Sequence, residues 1–318
     1  MKLKAAVIGT GNMGINHVRT YASTEEAILV AVSDLNKELG QKVATDFNTA
    51  YYQDYKEMLK KEKPDLVSIC VPSKYHFPVA KEVLKLKINT LLEKPITLEV
   101  KEAEALLRLA KKQRVKFLVG HIERFNPAVR KVKEMVDNGD LGDIIAITAR
   151  RVGGFPPQIT DANIAVDLSI HDIDIANYLL NQLPKEVSIN KARNHITKRE
   201  DSVEIFLKYK KASAYLQANW VTPVKIRKLN ITGKEGYLEM DYVSQEIEFY
   251  KSNYKKFKKK FKDFSDYVLE FSEPDKMEIT VAKREPLREE VLYFINCIKH
   301  DIKINSQFAV DALKIALS

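Results

Sequence analysis

Ala5-Ala6-Val7-Ile8-Gly9-Thr10-Gly11-Asn12-Met13-Gly14 is the stretch from which the rest of the chain can be read. A short apolar run ends at a glycine, and three glycines at G-x-G-x-x-G spacing lead into a segment of helical character. In a strand–turn–helix of this kind, Gly9 permits the tight turn, Gly11 lets a pyrophosphate approach the backbone, and Gly14 lets the helix pack on the strand. Asn12 and Met13 fill the turn between them, where the positive end of the helix meets the anion. A glycine string alone is a weak signal. Here the next apolar run, Ile28-Leu29-Val30-Ala31-Val32-Ser33, is closed by Asp34, twenty residues after Gly14. An acid at that place accepts hydrogen bonds from the ribose hydroxyls of NAD and repels the 2′-phosphate of NADP. Leu35-Asn36-Lys37 brings no arginine to clamp that phosphate, although Lys37 is near enough to assist one. NAD is therefore preferred over NADP.

Outward from this stretch, apolar runs recur at 4–8, 28–33, 65–71, 88–92 and 115–119, rich in Val, Ile and Leu. Runs of that kind suit strands buried on both faces. Amphipathic segments separate them: Val79, Val83, Leu84 and Leu86 mark one helix, Ala103, Leu106, Leu107 and Ala110 another. Alternation of this kind predicts a doubly wound parallel sheet with right-handed crossovers. The pattern changes after Gly120. Asn126-Pro127 opens a helix that stops at Asn138-Gly139, a strand near 143–151 and a helix near 166–181 follow, and then strand-like runs arrive without helices between them. Those runs, at 186–190, 202–209, 212–221, 225–232, 236–241 and 245–250, predict a large open, mostly antiparallel sheet. Helices are expected at 286–300 and 307–317. The chain thus reads as α/β in two closely packed domains, 1–120 for the dinucleotide and 121–318 for substrate and oligomerisation.

The 318 residues suffice for two cores; 45% are hydrophobic and 30% charged, as in soluble globular proteins. No apolar stretch approaches the roughly 20 residues of a bilayer span. The apolar part of the N-terminus stops at Gly9, which favours a strand over a signal peptide. Cys70 and Cys297 lie in apolar segments and read as buried thiols of a cytoplasmic protein. The net charge of +9 favours anionic partners without naming one. Seven lysines fall within the twelve residues 251–262, interleaved with Tyr254, Phe257 and Phe261. With no recognition helix, zinc spacing or RNA-binding motif, this run reads as a solvated edge strand or loop, and nucleic acid is not expected.

Candidate chemistry sits at the other strand ends. Val71-Pro72-Ser73-Lys74-Tyr75-His76 follows one, and such ends open on the ligand crevice of a doubly wound sheet. Pro72, Ser73 and His76 are candidate cofactor contacts; Ser73 serves equally well as a helix cap, and His76 as a structural histidine. Glu93-Lys94-Pro95 closes the run Thr90-Leu91-Leu92 and places a carboxylate and an amine where a nicotinamide would lie. A partly desolvated amine beside a cation has a lowered pKa and can move a proton or hold a hydroxyl. From Lys94 alone, an ordinary salt bridge explains the motif as well. Asp167 and His171 add weight: their i, i+4 spacing puts them on one helical face, continued by Asp174, among apolar neighbours where such groups need a partner or a purpose. With six histidines and no cluster of them, a metal site is not expected.

Gly9-x-Gly11-x-x-Gly14, Glu93-Lys94-Pro95 and Asp167-x-x-x-His171 occur in the order and spacing of the Gfo/Idh/MocA oxidoreductases, which the whole chain resembles. The resemblance implies a Rossmann domain, an α/β domain whose open sheet makes homodimer or homotetramer contacts, and Lys94, Asp167 and His171 around a reacting carbinol. Gly120-His121-Ile122-Glu123-Arg124-Phe125-Asn126-Pro127 and Arg150-Arg151-Val152-Gly153-Gly154-Phe155-Pro156-Pro157 look like the branch that oxidises the 3-hydroxyl of UDP-N-acetylglucosamine. That likeness makes Arg124, Asn126, Arg150 and Arg151 the expected substrate set, the arginines matching a diphosphate bidentately. The implied activity is NAD-dependent dehydrogenation of a sugar or nucleotide sugar. A regulator without turnover, an NAD-dependent glycosidase and an inositol or free-sugar dehydrogenase are the alternatives.

Overall fold

A computed structural model describes residues 2–154, 164–194, 200–252 and 275–318. Phe155, Pro156, Pro157 and most of the basic run, from 253 to 262, lie outside the described residues.

Six strands form one parallel sheet: β1 (Leu3–Ile8), β2 (Ala27–Ser33), β3 (Ala50–Tyr52), β4 (Leu66–Ile69), β5 (Asn89–Glu93) and β6 (Phe117–Gly120), in the order β3-β2-β1-β4-β5-β6. Between them run α1 (Asn12–Ser23), α2 (Lys37–Asp46), α3 (Tyr55–Glu62), α4 (His76–Lys85) and α5 (Val100–Gln113). The central strands are buried along most of their length, as near-continuous apolar sequence requires. Strand β3, only Ala50-Tyr51-Tyr52, has no apolar run to announce it. Register then fixes the function-bearing edge. Ile8 pairs with Ser33 on one side and Ile69 on the other, and Ile69 pairs with Leu92. Gly9, Asp34, Cys70 and Glu93 consequently leave their strands along one edge, with the order reversing between β1 and β4, where such sheets bind ligands.

The second unit runs from Asn126 to Lys283. It contains α6 (Pro127–Asn138), β7 (Ile144–Gly154), a π turn (Ala165–Ser169) leading into α7 (Ile170–Leu180), and strands β8 (Glu186–Ala192), β9 (Ser202–Lys208), β10 (Ser213–Asn219), β11 (Val221–Gly233), β12 (Gly236–Asp241), β13 (Glu246–Lys251) and β14 (Asp275–Ile279). The sheet order is β14-β13-β12-β11-β7-β10-β9-β8, and only the β7–β10 pair is parallel. Along β9, β10 and β12, buried and partly exposed residues alternate, so one face is covered and the other open. Helix α6 starts as its sequence demands: Asn126 Oδ1 accepts from the Ala128 amide at 3.1 Å, Pro127 follows, and Gly139 ends the helix at φ 79°.

The domain division differs from the sequence expectation of 1–120 and 121–318. The chain up to Phe125 forms one unit with Arg284–Leu317. Helices α8 (Pro286–Lys299) and α9 (Gln307–Leu317) therefore belong to the first unit. The physical reason is burial: Leu287, Val291, Phe294 and Ile295 of α8 enter the core of Ala5, Val7, Val18, Tyr21, Leu66, Leu91 and Leu118.

Candidate functional site

The glycine turn has the shape a pyrophosphate needs. Gly9 has φ +89°, and a Cβ there would meet the Cys70 carbonyl oxygen at 2.6 Å. A Cβ on Gly14 would lie 1.9 Å from the Gly9 oxygen, which fixes how closely α1 approaches the turn. Nothing lies within 4 Å of the place a Gly11 Cβ would take, and α1 begins there with no side-chain cap and no acidic residue in its first turn. Amides at that helix end are open to an anion, so these residues fit a dinucleotide. Asn12 and Met13 are exposed beside them. Asp34 is held in place: its Oδ2 accepts from the Thr10 amide at 2.7 Å and hydroxyl at 2.9 Å, and its Oδ1 from the Asn36 amide at 2.8 Å. A carboxylate has about four acceptor positions, leaving room for a ribose hydroxyl. Thr10 was invisible as a positioning residue, since nothing in the sequence distinguishes it within the turn.

Of the two roles the sequence leaves open for His76, cofactor contact or structural histidine, its surroundings match the structural one. It is buried, with Nδ1 at 2.6 Å from the Pro95 carbonyl and Nε2 at 2.9 Å from the Val71 carbonyl. The ring ties the segment after β4 to the Lys94-Pro95 loop, and neither nitrogen is left to point at a ligand. Ser73 opens a 3-10 turn (Ser73–Tyr75) ahead of α4, while Pro72 is exposed.

Glu93 is buried and belongs to a polar chain that sequence reading missed. Its Oε1 lies 2.9 Å from His17 Nε2; His17 Nδ1 is 3.0 Å from Ser68 Oγ, which is 2.8 Å from the Tyr21 hydroxyl. Its Oε2 accepts from the Lys94 amide at 3.2 Å. Burial alone would raise the Glu93 carboxyl. The His17 hydrogen bond, with the charges of His17, Lys94 and His76, outweighs it and holds the group below its ordinary value. Glu93 therefore acts from beneath, fixing the backbone that presents the half-buried Lys94. The Lys94–Pro95 peptide is cis. His17 falls three residues after Gly14 on α1, a polar residue on a buried helical face, and that was the available clue.

In the second unit the Asp167 spacing is set by the π turn rather than a regular α-helix, so the single polar face expected to run to Asp174 is replaced by a widened turn entering a buried helix. Asp167 is half-buried; His171, Asp172 and Asp174 are buried. Asp172 takes a bidentate pair with Arg151, Nε to Oδ2 and Nη2 to Oδ1 both at 2.9 Å, and the guanidinium stacks 4.7 Å from the Tyr242 ring centroid. Asn126 Nδ2 donates to the Tyr242 carbonyl at 3.0 Å. Arg151 and Asn126, expected to touch substrate, hold α7 and α6 through these bonds, since a buried guanidinium and a buried amide need partners.

Arg150 requires the same kind of correction. Adjacent strand residues point to opposite faces, so Arg150 lies on the open face, where its Nε donates to Gln217 Oε1 at 3.2 Å. The covered face, against which α7 packs, holds Arg151. The two cannot grip one diphosphate. Arg124, in the 3-10 turn Ile122–Phe125 of the first unit, stands 3.9 Å over the Phe308 ring and is half-buried.

Residues 3–121 match the family described as oxidoreductase, NAD-binding Rossmann fold, and residues 129–239 match the GFO/IDH/MocA C-terminal domain. The chain is a member of the Gfo/Idh/MocA oxidoreductases. Among curated relatives of this family member, the UDP-N-acetylglucosamine 3-dehydrogenase of Acidithiobacillus ferrooxidans is 28% identical over 250 residues, covering 78% of this chain and 77% of that one. The myo-inositol 2-dehydrogenase of Thermotoga maritima is 28% identical over 195 residues, covering 58% and 57%. The solved structure of UDP-N-acetylglucosamine 3-dehydrogenase GnnA from Acidithiobacillus ferrooxidans superimposes with a TM-score of 0.85 at 25% identity, over 100% of this chain and 96% of that one. This Gfo/Idh/MocA protein is thus an NAD(P)-binding oxidoreductase of a family that acts on sugar hydroxyls. Among the described residues no helix is long and apolar enough to cross a membrane, and no cluster of His, Cys, Asp and Glu is suited to a metal ion.

Proposed function

We propose that this protein oxidises a secondary hydroxyl of a sugar, the 3-hydroxyl of a UDP-N-acetylhexosamine, to a ketone with NAD as acceptor. The observation carrying the cofactor choice is Asp34, a carboxylate locked onto the glycine turn at the ribose end of the sheet edge. The likeness to a UDP-N-acetylglucosamine 3-dehydrogenase supports the substrate. Bound NAD supplies the hydride acceptor. By the family resemblance, His171 would take the hydroxyl proton as general base with Asp167 orienting it, and Lys94 would stabilise negative charge as it develops. The oxygen gains its second bond to carbon as the proton leaves and the hydride departs from that carbon. Arg124 is the remaining candidate for the diphosphate.

A screen of UDP-sugars, free sugars and inositols with NAD and NADP, read at the NAD(P)H absorbance, tests this. Turnover of a UDP-N-acetylhexosamine with NAD is expected. An inositol or free sugar reacting as well would end the nucleotide-sugar assignment while leaving the dehydrogenase, and no net reduction of added NAD with any of them would sink the proposed turnover.

A further inference from the structure

Helix α8 carries one residue that its apolar face does not explain. Glu290 is 0% exposed, between Leu287, Val291 and Phe294 of the core, and neither carboxyl oxygen has a hydrogen-bond partner. An isolated buried carboxylate is strongly disfavoured, and each such group asks for a reason. Helix α8 packs against α1 and the turn Ile122–Phe125. From α1 the titratable groups are Tyr21 and His17, with Arg19 at the surface on Glu285. Cys70 comes from beyond β4, and Glu93 from the end of β5. The turn brings Glu123 and Arg124, with His121 ahead of it; Arg124 lies over Phe308 and His121 meets the same ring edge-on at 5.2 Å. On α8 itself Glu289 faces Arg284 at 3.6 Å, and Arg288 is exposed.

We propose that Glu290 carries a proton at neutral pH: of the two buried carboxyls of the first unit, Glu93 keeps the negative charge and Glu290, on the helix packed against α1, stays neutral. The asymmetry comes from donors. Glu93 has His17 and the Lys94 amide, whereas Glu290 has none, so the charge settles on Glu93. Burial, and then the charge of Glu93, push the Glu290 carboxyl well above its ordinary value. Glu290 is accordingly a positioning residue: while neutral, it leaves Glu93 an undisturbed anchor for His17 and for the backbone of Lys94. On ionising it adds a second buried negative charge to the pair.

With its folded pKa raised, Glu290 contributes stability that is complete in acid, below the ordinary 4.5, and is lost as pH rises through the folded value. Glu290→Gln, close in shape and permanently neutral, should match wild type in acid and exceed it in alkali. The experiment measures Tm from pH 5 to 9 and the infrared band of protonated carboxyl groups for the wild-type chain, Glu290→Gln and Glu93→Gln. Expected are a protonated-carboxyl band at pH 7 in wild type that Glu290→Gln lacks, and a Tm difference growing by at least about 2 °C in favour of Glu290→Gln towards pH 9. Glu93→Gln, which removes the neighbouring charge, should move loss of the band to lower pH. Parallel Tm profiles, a band indifferent to residue 290, or a band unmoved by Glu93→Gln would each overturn the assignment. If Glu290→Gln does not fold, absence of the band from wild type at pH 7 overturns it alone.

Discussion

At the scale of single residues, the edge of the parallel sheet works by fixing carboxylates rather than by displaying them. Asp34 is anchored by Thr10, and Glu93 by His17 and the Lys94 amide. NAD should bind more tightly than NADP at equal salt, and Asp34→Ala should weaken NAD at least tenfold, about 1.4 kcal/mol, with little loss for NADP. Equal losses for both nucleotides would mean that Asp34 serves only the turn. Lys94→Ala and His171→Ala should each lower kcat on the order of 100-fold while NAD affinity, followed by fluorescence titration, stays near wild type. The positions of Gly9, Asp34 and Glu93-Lys94 at strand ends were legible because each closes an apolar run, and those strand ends share one edge. For Asn126 the helix cap was legible but its second bond was not, and for His76 a structural role could not be told from a cofactor contact. Their partners are carbonyls of Val71, Pro95 and Tyr242, and a carbonyl leaves no trace in residue type.

Among elements, α7 shows how a buried helix is held. Its apolar sides need no explanation, but Asp172 beneath them does, and Arg151 from β7 supplies the matching fork. Replacing either partner alone, Arg151→Met or Asp172→Asn, strands an unpaired buried group and should destabilise by about 3 kcal/mol. The double change Arg151→Met/Asp172→Leu should recover much of that loss. Urea unfolding followed by circular dichroism checks both, and additive losses would show that the pair is not the source. Sequence spacing placed α6, α7 and the antiparallel strands because their polar and apolar residues repeat with the right period. It failed at the turn Ala165–Ser169, since a π turn uses the same residues as an α turn and differs only in which carbonyl each amide finds. Arg150 and Arg151 are neighbours in sequence, but β7 separates them onto opposite faces.

At the scale of the whole molecule, the family resemblance implies contacts between copies through the open face of the large sheet, and that implication can be tested. Phe206 and Tyr215 are 46% and 42% exposed on that face and stand directly opposite each other on β9 and β10. Phe206→Glu combined with Tyr215→Lys should turn an oligomer into a monomer by size-exclusion chromatography without altering the far-ultraviolet circular dichroism. An unchanged elution volume would move the contact elsewhere.

The first unit is assembled from both ends of the chain. Its sheet is complete by Gly120, yet Leu287, Val291, Phe294 and Ile295 reach its core only after the intervening unit has been traversed. On a ribosome, then, the parallel sheet is made before the second unit and closes only after it, and until α8 emerges its apolar flank waits for a partner or a chaperone. Exchange of cofactor halves between relatives must for the same reason carry two cuts, one after Phe125 and one before Arg284, because a graft ending at the first leaves the borrowed sheet without its closing helix.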